Sequence, residues 1–475
     1  MTDEPTEKLS DRRSDATTDL LRRTADRAAD FLRHLSERHV GATEGATTIA
    51  QRLRRPFPET ATDAATVLEQ LVSDVDPGLV ASAGPRYFGF VIGGALPASV
   101  AVDWMAAVWD QNAGLYALSP AAAAAEEVAG EWMLELLGLP AGWSTGLPTG
   151  AGLGNAVGLA AGRHVVLRRA GWDVEARGLY GAPEIEVIVG DEAHATVLTA
   201  LQYLGLGRER VTKIPADDQG AMRGDDLAAA VRTAADRPVL ICAQAGNVNT
   251  GAFDPLAQIA DAAAGHDNAW LHVDGAFGAW AAASPRLRHL VAGMERADSV
   301  STDAHKWLNV GYDCGFVAVR DQAAHRAAMA VHAAYLMPGS GNRDGWEYVL
   351  DSSRRARGFA LYATLRSLGR DGVRELVERC CALAGQMADR LRDEDGVAVL
   401  NDVVLNQVLV RFDDDDARTN EVIRHVQEEG TAWMGGTTWQ GRAAMRISVS
   451  NWSTTPADID RTAAAILRAA RTRAP

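Results

Sequence analysis

Between Gly84 and Arg366, short apolar runs alternate with longer stretches of helical periodicity, and this alternation most limits how the chain can fold. The strand-length runs are Ile185–Val189, Val239–Ala243, Trp270–Val273 and Gly315–Val319. The helical segments between and before them are Asn155–Arg169, Ala195–Tyr203, Leu227–Ala235 and Pro255–Ala264. Strands joined through helices form a mostly parallel sheet with both faces covered. The expected class is therefore α/β, with ligands bound outside the carboxyl ends of the strands.

The flanks read differently. Residues 1–83 form a helical N-terminal segment, whose start, to about Ala16, is expected to be disordered. Leu20, Leu21, Ala28, Phe31, Leu32 and Leu35 make an apolar helical stripe there. Residues 84–366 make the large domain. Residues 367–475 are expected to form a small α+β domain: a long helix, strands at Val397–Leu400, Gln407–Phe412 and Ala443–Val449, and a last helix from Pro456.

Composition excludes some functions. A net charge of -15 leaves no basic excess to neutralise phosphates, so neither nucleic acid nor an anionic membrane is an expected partner. No apolar run approaches membrane-spanning length, and the polar start carries no signal-peptide core. Cys242, Cys314, Cys380 and Cys381 have neither metal-ligand nor disulfide-framework spacing. A cytoplasmic enzyme is expected.

Four segments carry chemistry. In "LPTGAGLGNAVGLAAGR", Leu147 to Arg163, glycines 150, 152 and 154 feed a helix, a turn suited to a phosphate. Helix packing and a dinucleotide turn are the competing readings; the latter would need an acidic residue such as Asp173 closing a strand. In "VIVGDEAHATVLTA", His194 sits at a strand-to-helix turn, as ligand-facing or helix-capping histidines do. Asp191, Glu192 and His194 lack a second histidine at helical spacing, which argues against a metal. In "LHVDGAFGAW", Asp274 follows a strand, with small residues Gly275, Ala276 and Gly278 above it. A buried carboxylate there wants a cation or a helix to cap.

The fourth segment is "STDAHKWLNVG", Ser301 to Gly311. Of 47 basic side chains only Lys8, Lys213 and Lys306 are lysines. Arginine stays protonated, whereas a partly desolvated lysine can lose its proton and attack a carbonyl. Together these segments offer a phosphate cradle, a ring-stacking imidazole, a carboxylate for a ring nitrogen and a nucleophilic amine. Those are the requirements of pyridoxal 5'-phosphate (PLP).

"DAHKW", "HVDGAFG" and "GNVNTGAFDPL" resemble the PLP-dependent group II amino-acid decarboxylases, which include aromatic amino-acid and glutamate decarboxylases. The resemblance runs from roughly Pro85 to Arg366 and more weakly to the C-terminus. It implies the fold-type I aminotransferase architecture, a homodimer, and decarboxylation of an L-amino acid to an amine and CO2. It further implies that Lys306 bonds the cofactor, Asp274 pairs with the pyridinium nitrogen, and His194 stacks on the ring and donates a proton. Ala151 and Gly152 backbone groups, His305 and Asp303 would hold the phosphate. Ala276 would lie beneath the ring, and Asn249 and Thr250 nearby. Phe90, Val91 and Ile92 of "RYFGFVIGG" would line the substrate pocket; with Trp109 and Tyr116 they favour an apolar substrate.

The chain also departs from the family. The loop tyrosine that supplies the proton after CO2 loss falls on Gly345, counted back from Arg354 in "SRRARGFALY". Tyr348, and further upstream Tyr335, are the candidates to replace it. Asp303 stands where the family often has a neutral side chain. Arg446 lies where fold-type I relatives can hold a substrate carboxylate. The alternatives are other PLP chemistry on this scaffold (aldehyde formation, a lyase reaction or transamination), PLP binding without turnover, and a dehydrogenase.

Overall fold

The computed structural model describes residues 4–330 and 342–472. Helices α1 (Glu4–His34), α2 (Ala46–Leu53) and α3 (Ala64–Val75) lead into α4 (Pro97–Trp109) and α5 (Pro120–Leu136). Helix α1 is continuous from Glu4.

The main sheet takes β1 (Ser144–Gly146), β2 (Glu186–Gly190), β3 (Thr212–Ile214), β4 (Val239–Gln244), β5 (Ala269–Asp274), β6 (Ser299–Asp303) and β7 (Gly315–Val319). Their order is β1-β7-β6-β5-β4-β2-β3. From β6 through β3 the pairing is parallel; β7 runs antiparallel to both β6 and β1. The helices of this region are α6 (Ala151–Arg169), α7 (Val174–Arg177), α8 (Ala195–Tyr203), α9 (Gly224–Ala234), α10 (Leu256–Ala264) and α11 (Gln322–Met329). The four expected strands and four expected helices are present, within a few residues at their ends. β1 and β3, three residues each, are too short to show a pattern of their own.

Helix α6 lies against the centre of the sheet, and its glycines explain how. A Cβ on Gly158 would stand 2.7 Å from His272 Nδ1, and one on Gly162 would stand 2.6 Å from Trp270 Cδ1. The packing reading of these glycines is thus correct for the helix body, and it brings the start of α6 to the ends of β5 and β6. The dinucleotide reading fails: Asp173 closes no strand but caps α7, accepting the Ala176 N–H at 3.1 Å.

Helix α12 (Gly358–Arg392) contains a non-helical residue, Gly369, with φ 60°. Beyond it a second sheet of β8 (Val397–Val399), β9 (Gln407–Phe412), β10 (Gly435–Trp439) and β11 (Arg442–Ser448) runs in the antiparallel order β10-β11-β9-β8. Helices α12 and α13 (Asp416–Glu429) pack on it, and α14 (Pro456–Arg471) packs against those two helices. Among the described residues, no helix is long and apolar enough to cross a membrane.

Candidate active site

The carboxyl ends of β4, β5 and β6 meet the N-termini of α6 and α8. Asp274 ends β5 and is 3% exposed. Its carboxylate accepts the Ala276 N–H at 3.1 Å and Asn155 Nδ2 at 3.0 Å. Lys306, the lysine of the cluster, pairs instead with Asp303, Nζ to Oδ2 at 2.9 Å. Among the described residues no basic side chain pairs with Asp274, so a buried charge is left with two hydrogen bonds and no counter-ion.

His194 is the N-cap of α8. Its Nδ1 lies 3.3 Å from the Thr196 backbone N and 2.8 Å from Thr196 Oγ1. A backbone N–H only donates, so Nδ1 is the acceptor and the neutral ring carries its proton on Nε2. Burial pushes the His194 pKa down; Asp274 opposes this, while Lys306 and Arg446 reinforce it. The His194 N–H donates to Gln244 Oε1 at 3.2 Å, and Gln244 lies level with Asp274 across β4 and β5. The capping reading of His194 therefore holds, and the cap leaves its Nε2 unspent by it.

His305 is set in the same way. Its Nδ1 accepts the Cys314 N–H at 3.2 Å, leaving Nε2–H 3.5 Å from Asp303 Oδ1. Burial lowers its pKa as well, with Asp303 pulling the other way. The Ala151 N–H donates to Asp303 Oδ1 at 2.6 Å. This corrects the expectation that Asp303 helps hold a phosphate. Its carboxylate already occupies a donor that the phosphate would use, and two anions do not share one N–H favourably. Gly152 N–H, in the first turn of α6, precedes the helix's own hydrogen bonding.

Other expected residues are placed elsewhere. Tyr348 is 4% exposed and accepts Gln322 Nε2 at 3.4 Å. Its ring lies under Arg343, 3.8 Å away, and edge-on to His325 at 5.2 Å. A hydroxyl enclosed between α11 and this loop is not brought to Lys306, so the expectation that Tyr348 supplies the proton is corrected. Tyr335 lies outside the described residues. Asn249 is buried, and its Oδ1 accepts Thr437 Oγ1 at 3.0 Å, facing β10 rather than Asp274. Thr250 Oγ1 is bonded to Gln219 O at 2.6 Å. Ala276 is half-buried and its N–H donates to Asp274.

The 86–94 segment reaches the site through its backbone. A Cβ on Gly93 would lie 2.0 Å from Lys306 O. Phe90 and Val91 both adopt left-handed backbone, φ 53° and 60°, at roughly 1–2 kcal/mol each. Val91 is 1% exposed and belongs to the main core, so it is unavailable to a substrate. Ile92 packs with Val40, Ala81 and Tyr87. Phe90 is 59% exposed and stacks on Trp433 at 5.6 Å, while Tyr87 stacks on the same indole at 5.0 Å. Trp433, Asn155, Thr196, Gln244 and His272 were not singled out by sequence. Only His272 had a signal, since it precedes Asp274 by two and so shares its strand face.

The "Pyridoxal-dependent decarboxylase conserved domain" matches residues 48–413. The chain belongs to the pyridoxal-dependent decarboxylase family. It is a PLP-dependent amino-acid decarboxylase, a carboxy-lyase of the expected fold. It is 27% identical to "Tryptophan decarboxylase 1" of Oryza sativa, over 92% of this chain and 90% of that one. The human "Acidic amino acid decarboxylase" is 30% identical, with 70% of this chain and 64% of that protein covered. Among solved structures, Oryza sativa TDC with PLP and tryptamine superposes with a TM-score of 0.89 at 25% identity, covering 96% and 98% of the two chains. Mouse CSAD shares the fold, with a TM-score of 0.88 at 22% identity over 96% and 99%. The residues present fit this cofactor. The uncompensated Asp274 carboxylate suits a pyridinium, and Lys306, which like Asp274 acts on His194, offers a primary amine. The glycine turn before α6 is tight: a Cβ on Gly150 would stand 3.2 Å from His305 Cε1.

Proposed function

We propose that the reaction runs at the Lys306, Asp274 and His194 cluster, on an aromatic or other apolar L-amino acid, in a cytoplasmic homodimer. The observation that carries the placement is the buried Asp274, unpaired with any basic side chain among the described residues. When bound, PLP supplies a ring that takes up the electron pair left as CO2 departs. Asp274 holds positive charge on the ring nitrogen. Lys306 anchors the cofactor after giving up its proton, and Asp303 is the nearest base for it. His194 presents Nε2–H and is the group of this chain that holds a proton for the substrate carbon. His305 Nε2–H and the Gly152 N–H serve the phosphate. Arg446, half-buried and with no carboxylate within 4 Å among the described residues, is the cation for the substrate carboxylate; burial lowers its pKa and Tyr87 opposes that.

The substrate class rests on the Tyr87–Trp433–Phe90 stack, which offers aromatic faces next to the Lys306 turn. It agrees with relatives named for tryptophan and for aromatic L-amino acids. Self-association rests on α4, which leaves Trp104, Met105, Val108 and Trp109 exposed on a largely apolar helix. Dividing the chain after Arg366, between the two sheets, is part of the same reading.

Borohydride reduction followed by peptide mapping tests the placement. The cofactor mass is expected on the peptide containing Lys306 and is lost in Lys306→Ala. CO2 release across a panel of amino acids tests the class. Attachment at another residue refutes the placement; release from acidic substrates alone refutes the class.

A further inference from the structure

Behind Asp274 lies a buried chain of polar groups that the mechanism above does not use. It begins at Trp270, whose Nε1–H can only donate and reaches Ser299 Oγ at 3.0 Å. The Ser299 hydroxyl hydrogen is then free for His272 Nδ1, 2.9 Å away. His272, fully buried, is therefore protonated on Nε2, which lies 2.9 Å from Asn155 Oδ1. Burial pushes the His272 pKa down to about 3, so the ring stays neutral. Asn155 Oδ1 also accepts the Ser301 hydroxyl.

These donors set the Asn155 amide. A flipped amide would place its oxygen against the Asp274 carboxylate and its NH2 against His272 Nε2–H. In the set orientation, Asn155 Nδ2 spends one hydrogen on Asp274 Oδ2 at 3.0 Å and directs the other toward Thr196 Oγ1 at 3.4 Å. The Thr196 hydroxyl continues to His194 Nδ1 at 2.8 Å. One amide, 0% exposed, thus touches the carboxylate and, through one hydroxyl, the imidazole.

We propose that Asn155 is a positioning residue that couples Asp274 to His194, orienting the carboxylate toward the ring nitrogen and, through the Thr196 hydroxyl, holding in place the imidazole whose tautomer the Thr196 N–H sets. This rests on the roles given to Asp274 and His194 under the proposed function. Asn155 acts through both residues and touches neither substrate nor cofactor. Outer-shell partners of this kind alter affinity or rate by about 10–100-fold when removed.

The test is a double-mutant cycle read by PLP affinity, from absorbance titration of the full-length apoenzyme. Asn155→Ala and Asp274→Ala are each expected to weaken PLP binding about tenfold or more. The double variant is expected to bind no more weakly than Asp274→Ala alone, because the asparagine has lost the group through which it acts. Additive losses, or wild-type affinity in Asn155→Ala, overturn the proposal. Wild-type affinity in Asp274→Ala removes the reading beneath it and the proposal with it, a result distinct from either. If Asn155→Ala does not fold, Thr196→Val cuts only the branch to His194. It is expected to lower kcat about tenfold with PLP affinity unchanged, and an unchanged kcat overturns the coupling.

Discussion

Acid should unfold this enzyme through histidines, and one of them isolates the effect. His325 is fully buried on α11, with Nδ1 2.8 Å from Ser144 Oγ and Nε2 3.0 Å from Tyr348 O. Burial pushes its pKa down from 6.5 to about 3, with Arg343 acting in the same direction. The unfolded chain therefore takes up the proton first, and stability is lost as pH falls through 6.5. Between pH 7.5 and 5.5 such a site costs about 1.4 kcal/mol. His272, also near 3, costs the same, so the pair costs about 2.8 kcal/mol. Asp254 works oppositely. Burial raises its pKa to about 6, so the folded state binds the extra proton and gains about 0.8 kcal/mol at pH 5.5. The three groups together leave a loss of about 2 kcal/mol. His325→Gln keeps a donor for Tyr348 O and removes the titration. Urea unfolding at fixed protein concentration, followed by circular dichroism at both pH values, gives the stability gap between variant and wild type. The gap is expected to move by about 1.4 kcal/mol in the variant's favour at pH 5.5. A gap constant with pH would refute the claim that His325 is held neutral by burial.

Three further outcomes follow from the site. Asp303→Asn removes the carboxylate that occupies the Ala151 N–H, so the variant apoenzyme should bind PLP about tenfold more tightly, equivalent to about 1.4 kcal/mol; equal or weaker affinity by absorbance titration contradicts the competition. Tyr348→Phe deletes a hydroxyl that meets Gln322 Nε2 at 3.4 Å, so kcat should stay within about twofold, and a loss of a hundredfold would return Tyr348 to the chemistry. Gly93→Ala forces a Cβ into Lys306 O, 2.0 Å away. It should cost at least ~2 kcal/mol in urea unfolding and impair cofactor attachment; a variant of wild-type stability would show that this segment yields.

What the sequence made legible and what it hid differ in physical kind. Lys306 stood out because arginine had replaced nearly every other lysine, and Asp274 because a strand ran into a carboxylate surrounded by small residues. Both signals are local. The polar chain behind Asp274 is not, since Asn155 and Asp274 are 119 residues apart and the bond exists only because Gly158 lets α6 settle on β5. Trp433, just before β10, meets Phe90 of the 86–94 segment, a contact no local period marks. Asp303 was legible as an anion near the cradle, but its direction was not; only the structure shows its 2.6 Å bond to the Ala151 N–H. Tyr348 misled for the converse reason. Counting along the chain placed a hydroxyl near the proton-donor position, while the fold spends that ring on Arg343 and His325. His194 combines both cases. Its place at a strand-to-helix turn was readable, but its tautomer comes from the Thr196 N–H, a group every residue but proline possesses. The chemistry therefore depends less on which residues are present than on which donors are already spent. In this site those donors are Ala151 N–H, Thr196 N–H and the two hydrogens of Asn155.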